Sequence, residues 1–315
     1  MVALGSTEYA YARKVIFLKV RKAAVAGQFY PGSKDQISEL LEESWADPEY
    51  GPGHALECGA GERQTMAVVC PHAGYTYSAS AAAWSYDAIL RERVPDTAII
   101  LGTQHTGYYS ISVLKEGAWQ TPLGNAEVDS DVAAAILAAS DLVQDDETAF
   151  FSPPHSREHN IEVQIPFLQY ASSDIKIVPI TVGVMEYGIL EDLGKALANV
   201  VNEAGKDVVI IASSDMTHMQ VRDPRDPEPS VELQKERDQA VADAVAAFDI
   251  PAVWDAARKT TVCGPQTIVT AMHAANALGA TSPTVMKYYT SYEKTGSRPP
   301  CDYSVGYMAA AFRRV

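Results

Sequence analysis

Three apolar runs in this chain each lead into a histidine. Thr65–Cys70 ("TMAVVC") is followed by Pro71-His72-Ala73-Gly74-Tyr75, and Thr97–Gly102 ("TAIILG") by Thr103-Gln104-His105-Thr106-Gly107. Asp207–Ser214 ("DVVIIASS") is followed by Asp215-Met216-Thr217-His218. Apolar runs of this length read as buried strands. One histidine after one strand is usually structural, but three in equivalent places point to shared chemistry. The carboxyl ends of strands in open α/β sheets form the usual ligand crevice. Imidazole is the commonest side-chain ligand of transition metals and a general acid or base near neutrality. Gly74 and Gly107 permit tight turns and close approach of a ligand.

Cys263 joins this set from another direction. In "TTVCGPQTIV" it stands just before a helix that begins at Pro265. The partial positive charge of a helix N-terminus favours a thiolate, the form that binds metals and attacks electrophiles. Cys58 and Cys70 read instead as small apolar residues. The stretch "SPPHSREHNIEVQIPF" adds His155, His159 and Glu162. His159 and Glu162 are three apart and share a face if the segment is helical. They could be ligands, an acid–base pair, or groups that orient the ligating imidazoles. His54 lies in a Gly/Pro loop and His273 within a helical pattern, so both are expected away from the site.

The elements that must position these residues alternate along the chain. Ser78–Leu90, Asp131–Ser140, Ser230–Phe248 and Pro265–Gly279 carry helical spacing. Glu158–Tyr170 has it too, with Pro166 expected to bend or interrupt the helix. Ile175–Gly183 reads as a strand in which Pro179 suggests an edge or an irregularity. "PTVMKYYTS" and "YSVGYMAAAF" read as late strands. The alternation favours a three-layer α/β/α sandwich on a largely buried central sheet, with the strands ending near Cys70, Gly102 and Ser214 as neighbours. No GxGxxG follows a strand and no GxxxxGK[ST] occurs, so the usual nucleotide-phosphate cradles are missing.

Composition narrows the function classes. The 315 residues are 47% hydrophobic, enough for a large core, and carry a net charge of -15. That charge disfavours nucleic acid and anionic membranes as partners. Four cysteines without a CxxC pair do not make a disulfide scaffold. No apolar stretch is long enough to span a bilayer, and the N-terminus lacks the pattern of a signal peptide, so a cytoplasmic location is expected.

Eight ordered segments resemble one family. "VRKAAVAGQFYPGS", "PHAGYTYS", "LGTQHTG", "WQTPLGNAEVD", "REHNIEVQIPFLQY", "VPITVG", "SSDMTH" and "VCGPQTI" are similar to the Memo family, whose prokaryotic members are called AmmeMemoRadiSam system protein B. The resemblance runs from about Val20 to the C-terminus, which implies one Memo-like domain over 20–315 and an extension over 1–19. It implies a fold like the class III extradiol dioxygenases, enzymes that use non-haem iron. It places the metal ligands on His72, His105 and Cys263, with Asp215 and His218 lining the same pocket and His159 and Glu162 nearby. The dioxygenases bind iron with two histidines and a carboxylate. A thiolate in the third place is softer, and moves preference toward copper or zinc while still accepting iron. The family's animal member is associated with metal-dependent redox behaviour and with phosphotyrosine peptides, and the prokaryotic system's name implies a radical SAM protein and a second small partner.

The leading expectation is therefore a redox or oxygen-handling enzyme that uses iron or copper, with zinc possible. In it Asp215 or His218 serves as acid or base and Glu162 fixes His159. A binding module for a small molecule, peptide or protein in the same crevice is the alternative. Hydrolysis by Cys263 with a histidine base, or by zinc-activated water, is the third.

Overall fold

The computed structural model describes residues 19–315. Of the extension expected over 1–19, all but Lys19 lies outside the described residues. The chain enters through β1 (Val20–Arg21) and α1 (Lys34–Ala46), then forms β2 (Thr65–Cys70), α2 (Tyr75–Leu90) and β3 (Thr97–Gly102). Short elements follow: β4 (Ile111–Val113), β5 (Ala118–Thr121), β6 (Gly124–Glu127), α3 (Ser130–Ala139), β7 (Val143–Asp145), α4 (Thr148–Phe151) and α5 (Ile165–Ala171). The second half comprises β8 (Lys176–Val182), α6 (Tyr187–Glu203), β9 (Val208–Ser213), β10 (His218–Gln220) and α7 (Glu228–Ala246). It closes with α8 (Ile250–Ala257), α9 (Pro265–Ala277), β11 (Ser282–Thr290), α10 (Ser291–Lys294) and β12 (Tyr303–Arg313).

Nine strands form one mixed sheet in the order β10-β12-β2-β9-β3-β8-β4-β7, with β11 on β12. Its centre, β2-β9-β3-β8, is parallel. β2, β3 and β9 are buried along their whole length. Helices cover both faces of these strands, which is why the sequence shows unbroken apolar runs instead of alternation. α2 packs on β2 and β12, with α1 and α5 beside it, and α9 packs on β2, β9 and β3 with α6 behind it. The result is a three-layer α/β/α sandwich. The alanines of α2, among them Ala79, Ala81, Ala82 and Ala83, are fully buried and let it lie close to the sheet. A second, three-stranded sheet of β1, β5 and β6 carries the start of the described chain.

The register of the central strands sets up the site. Because β2, β9 and β3 are parallel, their carboxyl ends emerge at one edge. Cys70 pairs with Ser213, so His72 and Asp215 both stand two residues beyond a matched pair.

Two local expectations are corrected. Glu158–Tyr170 is not one helix: Glu158 to Ile161 are non-helical, Glu162–Gln164 form a 3₁₀ turn, and α5 begins only at Ile165. Pro166 occupies the first turn of α5, where its missing N–H costs nothing, and it could not sit further inside a helix. Pro179 does not mark an edge, since β8 lies between β3 and β4. Its carbonyl accepts from the Leu114 N–H at 3.2 Å, and β4 pairs only as far as Ile180. The missing N–H therefore falls where the short neighbouring strand ends.

Candidate metal centre

His72 follows β2 and is buried, 1% exposed. Its backbone N–H donates to Asp215 Oδ1 at 2.7 Å, and its Nδ1 lies 3.0 Å from Ser213 Oγ. The hydrogen-bond inventory around Ser213 fixes the tautomer. Ser213 Oγ donates its one proton to the Asn160 carbonyl (2.7 Å) and accepts from Gln164 Nε2 (2.9 Å). It can only accept from His72, so His72 carries its proton on Nδ1 and presents the Nε2 lone pair to the crevice. That Nε2 is buried and, among the described residues, has no hydrogen-bond partner. Burial, offset in part by Asp215, pushes the imidazole pKa down to about 3, so the ring is neutral at pH 7. A neutral, buried, unpartnered imidazole nitrogen is the state a metal ligand requires.

His105 follows β3 and is oriented by Glu158. Glu158 Oε2 accepts from the His105 backbone N–H at 2.8 Å, and Oε1 lies 3.0 Å from Nδ1. Carboxylate-to-imidazole contacts of this kind hold the proton on Nδ1 and free Nε2 for a metal. Burial opposes charge on His105, but the Glu158 hydrogen bond and charge prevail and its pKa is raised. Burial likewise opposes charge on Glu158, and the contacts with His105 outweigh it, bringing the carboxyl down to about 2.

Cys263 precedes α9 and is held against the end of β9. Its N–H donates to the Asp215 carbonyl at 3.2 Å, the Gly264 N–H donates to Ser214 Oγ at 2.9 Å, and Thr267 Oγ1 donates to the Ser213 carbonyl at 3.1 Å. The helix N-terminus does not make Cys263 a thiolate here: burial, with the Asp215 charge adding to it, pushes the thiol up. The peptide N–H groups of Cys263 and Gly264 are already spent on Asp215 and Ser214. Ionising this thiol takes a cation. The ligand atoms of His72, His105 and Cys263 lie within 4.8 Å of one another. Two ligands of one ion sit roughly 4 Å apart at bond lengths of about 2.0–2.3 Å. Two imidazoles, one of them neutral with a buried orphan nitrogen, and one thiol fit a transition-metal ion.

The family model described as Memo-like protein matches residues 21–311. This chain belongs to the Memo family. A MEMO1 family protein of Thermococcus onnurineus is 40% identical over 310 residues, covering 94% of this chain and 100% of its own. One from Methanopyrus kandleri is 36% identical over 300 residues, covering 93% and 99%. Among solved structures, an uncharacterized protein of Escherichia coli K12 aligns with 79% of this chain and 99% of its own, at 11% identity and a TM-score of 0.48.

In this Memo chain the three ligand candidates share a cavity of about 650 Å³ with Asp215, His218 and His159. His218, at the start of β10, has Nε2 at 3.0 Å from Cys263 Sγ and 3.7 Å from Asp215 Oδ2, while Nδ1 meets the Tyr303 hydroxyl at 2.8 Å. Asp215 is buried and Oδ2 also lies 3.9 Å from His72 Nε2. Its burial would raise its pKa, but His72 and His218 lower it, so it stays a carboxylate. His159 stacks on His105 with ring centroids 5.2 Å apart, and burial lowers its pKa.

Glu162 is elsewhere. It is 1% exposed and pairs with Arg21 at 2.9 Å, while accepting from the Ala24 and Val25 N–H groups and the Tyr30 hydroxyl. It does not touch His159, because the 3₁₀ turn replaces the helix that would have put them on one face. The carboxylate near His159 is Glu158, at 3.6 Å. Neither Glu158 nor Ser213 was singled out by sequence reasoning. The available signal was the acid directly preceding His159, and the last polar residue of an apolar strand. His54 sits on Arg91 and Asp87, and His273 packs on Tyr187, both away from the cavity.

Proposed function

We propose that this Memo-family chain is a metal-dependent redox or oxygen-handling enzyme, holding one iron or copper ion on His72, His105 and Cys263, with zinc an accepted substitute. The observation that supports it most is the buried, unpartnered Nε2 of His72, aimed at a second imidazole and a thiol. When bound, the ion supplies Lewis-acid and electron-transfer chemistry. The residues supply the rest. Ser213 and Glu158 keep the imidazole protons on Nδ1. His218 Nε2, 3.0 Å from Cys263 Sγ, is placed to take the thiol proton if Cys263 were to hold an ion, and Asp215, 3.7 Å away, would stabilise the resulting imidazolium. The same His218–Asp215 pair can then exchange a proton with a substrate in the cavity. Metal content settles the matter: the wild type should bind about one ion per chain, and His72→Ala and Cys263→Ser should lose it. Iron or copper bound by His72→Ala as tightly as by the wild type would sink the assignment.

Two other readings have one observation each. The 3.0 Å Cys263–His218 contact is also that of a cysteine nucleophile with its base. Rapid alkylation of Cys263 by iodoacetamide at neutral pH in metal-free protein would favour it. Tyr77 and Tyr303 line the same cavity while 41% and 48% exposed, which suits recognition of a peptide or protein partner, a radical SAM protein included. Partner capture that survives chelation and Cys263→Ser would favour that reading.

A further inference from the structure

Behind the metal cavity lies a second one, of about 770 Å³, between the strip Val20–Val25 and the segment Phe150–Arg157. Its size is that of a small-molecule site. In a chain with 40 acidic and 25 basic residues, its lining contains Arg21, Lys22 and Arg157 and no carboxylate. The three cations differ. Arg21 is buried and spent: it donates to Glu162, to the Phe150 carbonyl (3.1 Å), and to the Ser156 (3.1 Å) and Glu158 (2.6 Å) carbonyls. Lys22 and Arg157 are exposed and, among the described residues, make no ion pair and no side-chain hydrogen bond. Nearby Lys19 already pairs with Glu147. The apolar part of the lining is aromatic: Phe29, Phe150 and Phe151.

Phe29 is delivered by the turn at Gly27, whose φ of 81° suits glycine. Its ring lies 4.5 Å from that of His159, and these two side chains line both cavities. The second cavity therefore adjoins the metal cavity, and the Phe29 and His159 rings are shared by both linings.

We infer that this second cavity binds a small aromatic anion, a carboxylate, sulfonate or phosphate, with the ring against Phe29 and Phe151 and the charge on Lys22 and Arg157. Two cations that are unpaired among the described residues, in a lining without a carboxylate, supply the charge recognition. Arg21 contributes little, because it is buried, its charge is paired with Glu162, and four of its five N–H donors are engaged within the chain. The site is separate from the proposed metal centre and does not depend on whether a metal binds there.

The test titrates the full chain with 1-anilinonaphthalene-8-sulfonate, followed by fluorescence, with the uncharged N-phenyl-1-naphthylamine as a second probe. The wild type should bind the sulfonate saturably, and Lys22→Glu/Arg157→Glu should weaken it about tenfold or more. Lys22→Arg/Arg157→Lys should restore it, and added salt should weaken it. His72→Ala/Cys263→Ser should leave sulfonate affinity unchanged. Unchanged affinity in the charge-reversed variant, equal binding of the neutral probe, or loss of binding in the metal-site variant would each overturn the assignment.

Discussion

Replacing Glu158 by glutamine should disable the proposed metal centre while leaving each of its ligands in place. Three donors converge on the Glu158 carboxylate: the His105 N–H, His105 Nδ1 and the His159 N–H, at 2.8, 3.0 and 3.0 Å. A glutamine has one acceptor oxygen, so its NH₂ must face one of these donors. Where the NH₂ takes the place of Oε1, His105 Nδ1 can only accept, and its proton moves to Nε2, the atom that should face the metal. Loss of a partner that orients a ligating histidine typically costs about 10–100-fold in metal affinity. The stability effect follows from the Glu158 carboxyl, which falls from 4.5 to about 2. That depression corresponds to about 3 kcal/mol, counted once although His105 shifts in response to the same contact. A depressed carboxyl stabilises the fold above its unfolded pKa and loses that contribution as pH falls through the folded value. The wild type should exceed Glu158→Gln in stability at pH 7, and the gap should close between about pH 4.5 and pH 2. Zinc titration against a chelating dye measures the first effect, and urea unfolding of metal-free protein across this pH range measures the second. Wild-type zinc affinity in Glu158→Gln, alongside its loss in His105→Ala, would refute the argument that the tautomer matters.

Other substitutions probe the supports. Ser213→Ala removes the acceptor of His72 Nδ1–H and should lower zinc affinity by about 10–100-fold; an affinity within twofold of wild type would show that the tautomer is fixed otherwise. Gly102→Ala places a Cβ 2.3 Å from Asn160 Oδ1 and 2.5 Å from Ile161 Cγ1, so it should cost about 1–3 kcal/mol in urea unfolding and displace the Glu158 segment. Glu162→Ala leaves Arg21, 3% exposed, buried without its counter-charge, and should cost about 3–5 kcal/mol by the same assay. In metal-free protein the raised Cys263 thiol should alkylate slowly at pH 7 and faster above pH 9, as mass spectrometry of the labelled peptide would record.

What the sequence discloses here depends on the range of the interaction. The central strands are legible because burial on both faces removes alternation, leaving runs such as "TAIILG" whose ends are unmistakable. Residues delivered from those ends, His72, His105, Asp215 and His218, could be picked out because parallel neighbours bring all such ends to one edge. The Glu158–Ile161 turn was not legible, because its apolar spacing imitates a helix and only Pro166 hints that the helix begins later. Glu162 was misassigned for that reason. Its true partner, Arg21, is 141 positions away, and no local pattern encodes a contact at that range. Ser213 was passed over because a polar residue ending a strand looks like a solvated boundary, whereas it is fully buried.

The Arg21–Glu162 clasp bears on where an autonomous fragment of this chain can begin. Arg21 holds the carbonyls of Phe150, Ser156 and Glu158 as well as the Glu162 carboxylate, so it anchors the segment from which Glu158 and His159 rise. Residues 19–32 are therefore a keystone for the proposed metal centre and not a segment to be trimmed. A truncation that starts at Ser33 would retain every proposed metal ligand and the whole central sheet, yet should fail to hold a metal. One that starts at Lys19 keeps the clasp. Fragment boundaries and affinity tags belong upstream of that residue, and a peptide spanning Lys19–Gly32 supplied in trans should restore part of what the shorter fragment loses.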